Sequence, residues 1–202
     1  MTKQEILEAT LELASEKGIG RISMQQIADK VNLKKSSLYS HFKSKDEIFE
    51  SMYEYFRDKA KSQSGSGDVD YGRLVEGHSL EEILTGVVNS YRNMNLNSDM
   101  FKFYQMIMAE RSYNPIAAQV MIEETRRMIN ATKTLFYAIS AKGVAIFENP
   151  DGAALSFAMG VHSIIDFEGD AINVGSSDAD GVMEEFIKEF CRIYGGNKNE
   201  VK

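Results

Sequence analysis

Residues 22–49 constrain the fold of this chain more than any other stretch. Their apolar spacing predicts two short helices joined by a tight turn, followed by the start of a longer helix. Ser23 and Gln26 have capping-box spacing at the first of these helices. The inward-facing positions are Ile27, Ala28, Val31, Leu38 and Phe42. A helix-turn-helix over about residues 23–42 is therefore predicted.

The charge of the same region differs in sign from that of the rest of the chain. Residues 17–45 contain seven lysines and arginines and one acid, Asp29, a net charge of +6. The whole chain carries −7, so the remainder carries −13. An acidic body repels a polyanion, so a nucleic-acid contact would have to use this one segment. Composition alone also allows an ordinary solvated surface, and only the helix pattern favours DNA contact.

The rest of the chain has apolar residues at helical spacing and only two prolines, which indicates an all-α protein. Asn114 and Asn149 each precede one of these prolines and are predicted N-caps. Helices are predicted at about residues 2–17, from 23, 34–41, 44–61, 79–94, 98–111, 115–141, 150–167, and from Asp178 or Asp180 to Tyr194. The second of two capping boxes near the front, Ser44 with Glu47, opens the helix at 44–61.

A Gly/Ser-rich tract at residues 62–68 marks the expected domain boundary. We expect a small three-helix, homeodomain-like helix-turn-helix domain at residues 1–61 and a larger helical domain at 62–202.

Several classes of protein are disfavoured by what the sequence lacks. No apolar run approaches the roughly 18–20 residues of a membrane span, and no signal peptide is recognised, so a cytoplasmic protein without membrane contact is expected. The single cysteine, Cys191, allows no intramolecular disulfide and is expected to be a buried, inert thiol. No cofactor or metal site is predicted, because the three histidines lie far apart. Without a glycine-rich phosphate loop, a nucleophile elbow or paired acids, an enzyme is not expected.

Ten residues in and beside the helix-turn-helix are predicted to contact DNA. The lysines among them can reach phosphates or guanine O6 and N7, and the short hydroxyls of Ser36 and Ser37 allow close approach. Tyr39 offers its ring to a thymine methyl group, and the amides of Met24 and Gln25 offer a positive helix end to a phosphate. The set is Ser23, Met24, Gln25, Lys34, Lys35, Ser36, Ser37, Tyr39, His41 and Lys45.

Each of these residues also has a structural alternative. The lysines could be solvated, and Ser23 could serve only as a helix cap. Tyr39 could pack against the first helix, and His41 could bridge two helices.

Residues 6–52 resemble the DNA-binding domain of the TetR family of bacterial transcriptional regulators. The resemblance rests on Lys17-Gly18 after the first helix, Ile27-Ala28, and the Leu-Tyr-x-His-Phe-x-x-Lys block from Leu38 to Lys45. The family usually has Gly-Val followed by Ser or Thr before the recognition helix, whereas this chain has Asn32-Leu33-Lys34. Asparagine tolerates the left-handed conformation, so the turn is expected to form, but Lys34 cannot cap the helix through its side chain.

The resemblance implies a C-terminal domain that dimerises and binds a small molecule. Its last two helices are expected to pair with a second copy, or else to close the core of their own domain. The predicted dimer residues are Phe157, Val161, Ile164, Ile165, Met183, Phe186, Ile187 and Phe190. A pocket for an unknown effector is expected to use Met94, Phe101, Tyr104, Met108, Arg111 and His162, although a Met/aromatic stripe is also typical of plain core.

The expected function is therefore a dimeric regulator, a repressor released from operator DNA by a small-molecule effector. The alternative is an effector-independent architectural or cell-division DNA-binding protein, which would share the front domain and differ in the body.

Overall fold

The chain is all-helical in a computed structural model that describes residues 2–63, 69–95 and 99–195, with side chains at all of these except residues 60–63 and 93–95. Ten α-helices and one 3₁₀ turn at Ile19–Arg21 are found in these ranges, without a strand, which confirms the predicted fold class. The helices are α1 (Lys3–Lys17), α2 (Met24–Lys30), α3 (Lys35–His41), α4 (Lys45–Gln63), α5 (Tyr71–Leu74), α6 (Leu80–Asn95), α7 (Asp99–Glu110), α8 (Pro115–Ala141), α9 (Pro150–Val174) and α10 (Val182–Tyr194). Among these helices none is both long and apolar enough to cross a membrane.

Several of the helix starts are fixed by the predicted side-chain caps. Ser23 and Gln26 form a reciprocal capping box at α2, in which the Gln26 amide N–H donates to Ser23 Oγ at 3.3 Å. Ser79 receives the Glu82 N–H in the same way, and Asn149 receives the Gly152 N–H at 2.9 Å.

The cap at α4 differs in one bond from the prediction. Ser44 Oγ accepts the Glu47 N–H at 3.1 Å as expected. The Glu47 carboxylate, however, accepts the amide of Lys43, at 2.6 Å, and not that of Ser44. The carboxylate thus reaches one residue further back than a capping box requires.

Three features after residue 68 differ from the predicted helices. The four-residue α5 was not predicted, although Asp70 caps it by accepting the Arg73 N–H. Helix α9 continues seven residues past the predicted end at Phe167 and stops at Gly175, which is left-handed. Helix α10 begins after Gly181, so neither Asp178 nor Asp180 is its N-cap.

Packing divides the chain into two compact units. The first comprises residues 1–67 and 93–124, and the second residues 68–92 and 125–202. Helix α7 and the first part of α8 therefore pack with the N-terminal helices. The domain boundary predicted after residue 61 falls in the tract 62–68, of which residues 64–68 lie outside the described part of the chain. That boundary stays a prediction.

The first unit is centred on Phe103 of α7, which is fully buried. Its ring lies 5.7 Å from that of Phe49 and 5.9 Å from that of Phe56, both on α4. Two ion pairs lie beside this core: the ammonium group of Lys59 on α4 is 2.9 Å from the carboxylate of Glu8 on α1 and 2.8 Å from that of Asp99 on α7. Helix α4 is thereby held to α1 and α7 by both apolar and charged contacts.

The second unit has an aromatic core contributed mainly by α8, α9 and α10. Phe136, Phe157 and Phe190 approach one another with ring centroids 4.9 to 5.8 Å apart. At one side of this unit Arg92 of α6 pairs with Glu168 of α9 and, at 3.2 Å, with Glu184 of α10. The guanidinium group of Arg92 therefore links α6 to both α9 and α10.

Candidate nucleic-acid interface

The turn between α2 and α3 has the conformation that its sequence predicts. Asn32 has φ +54°, the one positive φ at a non-glycine residue in the described ranges. Asparagine adopts this left-handed conformation more readily than most residues, so glycine is not required here. The Leu33 N–H then donates to Ala28 O at 2.9 Å, which closes the turn. The departure from the usual Gly-Val of the family therefore leaves the turn intact.

The start of α3 is irregular in the predicted way. Lys34 is the N-cap residue, with extended backbone (φ −68°, ψ 144°), and its side chain makes no capping bond. The helix is instead anchored from its inner face, where Leu38 is fully buried and Phe42 is 1% exposed. The seven-residue helix thus depends on burial of its apolar face for its position.

The outer face of α3 carries the predicted polar set. Lys34, Lys35 and Ser36 are exposed, Ser37 is half-buried, and Tyr39 is 45% exposed. Tyr39 therefore does not pack away its ring against α1. The face offers two cations, hydroxyl groups and one aromatic ring within a single short helix, which suits the edges of base pairs and the phosphates beside them.

The start of α2 contributes one further group of predicted contacts. Ser23 and Gln25 are exposed, whereas the Met24 side chain is 8% exposed, so Met24 offers only its backbone amide. The Gln25 side chain is occupied locally, because its amide donates to Asp29 Oδ1 at 2.7 Å. Met24 and Gln25 are the first two residues of α2, where no helical carbonyl precedes their N–H groups.

Lys45 does not point its charge outward, contrary to the expectation for this residue. Its ammonium group donates to Ile19 O at 2.9 Å, Gly20 O at 3.4 Å and Ile22 O at 3.1 Å. The three N–H donors of a lysine are thereby matched by three carbonyl groups. Lys45 therefore bonds the loop between α1 and α2, and its predicted contact with DNA stays a prediction. His41 is half-buried at the end of α3.

Two family models match the chain and together cover most of the described helices. The model described as bacterial regulatory proteins, tetR family, matches residues 6–52. A second, described as the AefR-like transcriptional repressor C-terminal domain, matches residues 82–196, more than half of the chain.

This chain belongs to the TetR family of bacterial transcriptional regulators.

Curated relatives of this TetR-family chain match it over part of its length. The HTH-type transcriptional regulator AcrR of Shigella flexneri is 30% identical over 92 residues, which are 44% of this chain and 41% of AcrR. The IcaR negative transcriptional regulator of the biofilm operon icaADBC from Staphylococcus epidermidis is 38% identical over 60 residues, 28% of this chain and 32% of IcaR. The chain thus spans less than half the length of these relatives.

Solved TetR-family structures resemble the whole chain in fold. A TetR-family regulator from Mesorhizobium loti has a TM-score of 0.70 at 20% identity and covers 96% of each chain. AibR, crystallised with isovaleryl coenzyme A and operator DNA, has a TM-score of 0.55 at 21% identity and covers 79% of this chain and 83% of AibR. At these identities the likeness shows the fold.

The predicted effector residues of this TetR-family chain are divided between the two units. Phe101, Tyr104 and Met108 lie half-buried along one side of α7 in the first unit, and His162 lies half-buried on α9 in the second. Arg111 is exposed, with Nη1 3.0 Å from Met108 Sδ. The predicted set also includes Met94, whose side chain lies outside the described part of the structure. The effector set stays a prediction.

The predicted dimer residues are buried or half-buried within the second unit. Five of the eight are at most 7% exposed inside the second unit, and the others pack against its core, because they point towards neighbouring helices of the same chain. The buried five are Phe157, Val161, Met183, Ile187 and Phe190; the half-buried three are Ile164, Ile165 and Phe186. This burial favours the alternative in which these faces close the domain's own core, and the predicted dimer set stays a prediction. Other apolar residues of α9 are exposed, among them Leu155 (46%) and Met159 (40%), and towards its end Phe167, Ile172 and Val174.

Sequence reasoning missed Leu155, Met159 and one residue near the helix-turn-helix, Glu110. Leu155 and Met159 stand four apart, so a helical wheel could have separated them from the buried face. Glu110, the last residue of α7, accepts the Gly20 N–H with its carboxylate at 3.3 Å, a contact across 90 residues that has no local signal. Within the described residues no group of three or more His, Cys, Asp or Glu is arranged to hold a metal ion.

Proposed function

We propose that this chain represses transcription by binding operator DNA as a homodimer and that a small-molecule effector releases it. The observation that carries the proposal is the outer face of α3, where Lys34, Lys35 and Tyr39 are exposed together within a segment of charge +6. The remaining −13 of the chain repels DNA, which directs the duplex to this face.

The roles of the α3 side chains follow from their chemistry. Lys34 and Lys35 bind phosphates or guanine O6 and N7, and Ser36 and Ser37 permit close approach to the groove. Tyr39 contacts a thymine methyl group or a phosphate. The phosphates of the DNA are also contacted by His41, at the end of α3, and by the start of α2, which offers Ser23 and the amides of Met24 and Gln25.

A dimer is proposed because one seven-residue helix reads only one half-site. Two copies related by a two-fold axis place two recognition helices in successive major grooves of a near-palindrome. The exposed apolar residues Leu155 and Met159 of α9 are the proposed contact between copies. Replacing both with Glu should convert a dimer to monomers in analytical ultracentrifugation. The same change at the exposed Ser156 and Ser163 of α9 is the control for added charge.

Effector binding is proposed from family membership and from the half-buried stripe Phe101, Tyr104 and Met108 on α7. AibR, a neighbour in fold, was crystallised with both an acyl coenzyme A and operator DNA. A ligand that favours a conformer with the wrong half-site spacing lowers operator affinity by shifting populations. A thermal-shift screen of metabolites tests this, and its failure would favour an effector-independent DNA binder. Binding, and not catalysis, is the proposed activity, in the cytoplasm where the operator lies.

The DNA-binding proposal is tested with duplexes enriched from a randomised library by the full-length protein. Fluorescence anisotropy on the enriched duplex should show weaker binding for Lys35→Ala and Tyr39→Ala, by about 1–3 kcal/mol where a base contact is lost. Replacing a lysine that binds only a phosphate should instead lower the salt dependence of the DNA affinity by about one ion. Lys142→Ala, exposed in the second unit, removes the same charge and serves as the control. No enrichment, or equal affinity for all variants, would overturn the proposal.

A further inference from the structure

The loop that joins α1 to α2, residues 18–22, is held by two charged side chains from distant parts of the first unit. From the first turn of α4, the Lys45 ammonium group donates to the carbonyl groups of Ile19, Gly20 and Ile22 at 2.9 to 3.4 Å. From the last residue of α7, the Glu110 carboxylate accepts the Gly20 N–H at 3.3 Å. The loop therefore has its carbonyl groups bound from one element and an amide bound from another.

The two glycines of the loop make room for the Glu110 carboxylate. A Cβ atom on Gly18 would lie 2.9 Å from Glu110 Oε1, and one on Gly20 would lie 3.4 Å from Oε2. Gly18 also has φ +80°, which disfavours any other residue. The carboxylate is thus seated directly on the loop backbone, where a side chain would displace it.

The position of this loop determines where the helix-turn-helix begins. Ile19 and Ile22 are 1% and 3% exposed, so both ends of the loop are fixed in the core, and Ser23 caps α2 immediately afterwards. Glu110 belongs to the segment matched by the C-terminal family model, whereas the loop belongs to the N-terminal match. Glu110 therefore connects the end of α7 directly to the loop that precedes the helix-turn-helix.

The geometry points to Lys45 and Glu110 as positioning residues for DNA binding, which hold the loop at residues 18–22 and thereby orient α2 and α3, and neither of which touches DNA. This inference rests on the proposed operator binding. For Lys45 it replaces a direct phosphate contact with an indirect role. For Glu110 it gives an acidic residue a favourable effect on the binding of a polyanion.

Glu110 gives the sharper test because electrostatics and positioning predict opposite signs. Removing a carboxylate strengthens binding to DNA if only charge matters. Positioning predicts that Glu110→Met weakens binding by about three- to tenfold, the effect of losing one hydrogen bond. Glu110→Gln also removes the charge but keeps an oxygen that accepts the Gly20 N–H, so its affinity should stay within about twofold of wild type. A difference between Met and Gln therefore isolates the hydrogen bond.

The positioning role of Lys45 is tested by comparison with Lys43, which lies two residues away and is exposed. Replacing either lysine with methionine removes the same charge. Lys45→Met should weaken binding several-fold more than Lys43→Met, without lowering the salt dependence below that of the Lys43 variant. A direct phosphate contact from Lys45 would instead lower the salt dependence by about one ion. That result would overturn the positioning role of Lys45.

A readout without DNA separates this inference from the proposed function. Hydrogen exchange of a peptide covering residues 16–24 should be faster in Glu110→Met than in wild type or Glu110→Gln, at unchanged unfolding temperature. One outcome would overturn the positioning role alone: the wild type binds DNA, Lys35→Ala weakens this binding, and Glu110→Met leaves it unchanged or strengthens it. Absence of DNA binding by wild type overturns both proposals. Faster exchange together with weaker binding in the Met variant, and neither in the Gln variant, is the expected outcome.

Discussion

Two glycines of α9 should respond oppositely to the same substitution. A Cβ atom built on Gly160 would lie 2.8 Å from Cε2 of Phe186 on α10 and closer still to Cζ. The same atom on Gly169 would meet nothing within 4 Å. Both residues lie inside the helix Pro150–Val174, so the gain in helix propensity from alanine, about 1 kcal/mol, is shared. The pair therefore separates helix–helix packing from intrinsic helix stability.

The Phe186 ring cannot move freely to make room for the added methyl group. Its centroid lies 5.7 Å from that of Phe157 and 6.1 Å from that of Phe190, both almost fully buried. Overpacking of this kind costs about 1–3 kcal/mol. Gly169→Ala should therefore raise the free energy of unfolding by about 0.5–1 kcal/mol. Gly160→Ala should be less stable than Gly169→Ala by about 1–3 kcal/mol.

Urea unfolding followed by far-ultraviolet circular dichroism measures this difference, since the chain has no tryptophan to report by fluorescence. Protein concentration is kept equal, because association stabilises the folded state. Phe186→Leu shortens the side chain that the methyl group meets, so Gly160→Ala should cost less in that background. Equal stability of the two alanine variants, or no relief from Phe186→Leu, would show that α9 and α10 do not pack as described.

Three further predictions follow from local contacts. Ser23→Ala removes the side-chain cap of α2 and should lower the unfolding free energy by about 1 kcal/mol in urea, whereas Ser156→Ala on the exposed side of α9 should change it little. Hydrogen bonds from Tyr55 and Lys59 lower the pKa of Glu8 from its ordinary value of 4.5. The stabilisation of the folded state by these bonds is therefore full above about pH 4.5 and is lost as the pH falls through the lower folded-state pKa. Glu8→Gln should flatten the acid side of a plot of unfolding free energy against pH, and an unchanged acid side would contradict this. Burial raises the pKa of the Cys191 thiol to about 11, so a disulfide reagent at pH 8 should react slowly with native protein and rapidly in urea.

Several helix starts could be predicted because their signal is a side chain a few residues away. Ser23, Ser79 and Asn149 cap the helices that their spacing indicates, because a cap is a bond between residues two or three apart. The turn at Asn32 is predictable for the same reason. Helix ends were less certain: the polar run after Phe167 interrupts the apolar pattern, yet α9 continues to the left-handed Gly175.

The direction of an apolar helix face could not be predicted from one sequence. Both the buried Phe157 and the exposed Met159 lie on α9, two residues apart, and both are apolar. Burying either face is favourable in proportion to its area, so periodicity does not distinguish the domain's own core from a surface for a second copy. Val161 and Phe190, which the sequence predicts as dimer contacts, are buried within their own unit. A helical wheel separates Leu155 and Met159 from the face of Phe157, but only the neighbouring helices show which of the two faces is buried.

The role of Lys45 shows where sequence reasoning ends at the DNA-binding region. A lysine donates equally well to a phosphate oxygen or to a backbone carbonyl group, so its identity predicts a donor and not a partner. Every residue has a carbonyl group, so the acceptors at Ile19, Gly20 and Ile22 leave no mark in the sequence, and Glu110 reaches the same loop from 90 residues away. Only the glycines of the loop are visible in the sequence as a sign of this arrangement. At Gly18 the positive φ and the nearby Glu110 carboxylate both disfavour a side chain. A glycine-containing loop between the first two helices, next to a lysine that begins the fourth, is therefore the pattern by which a held loop could be sought in related chains.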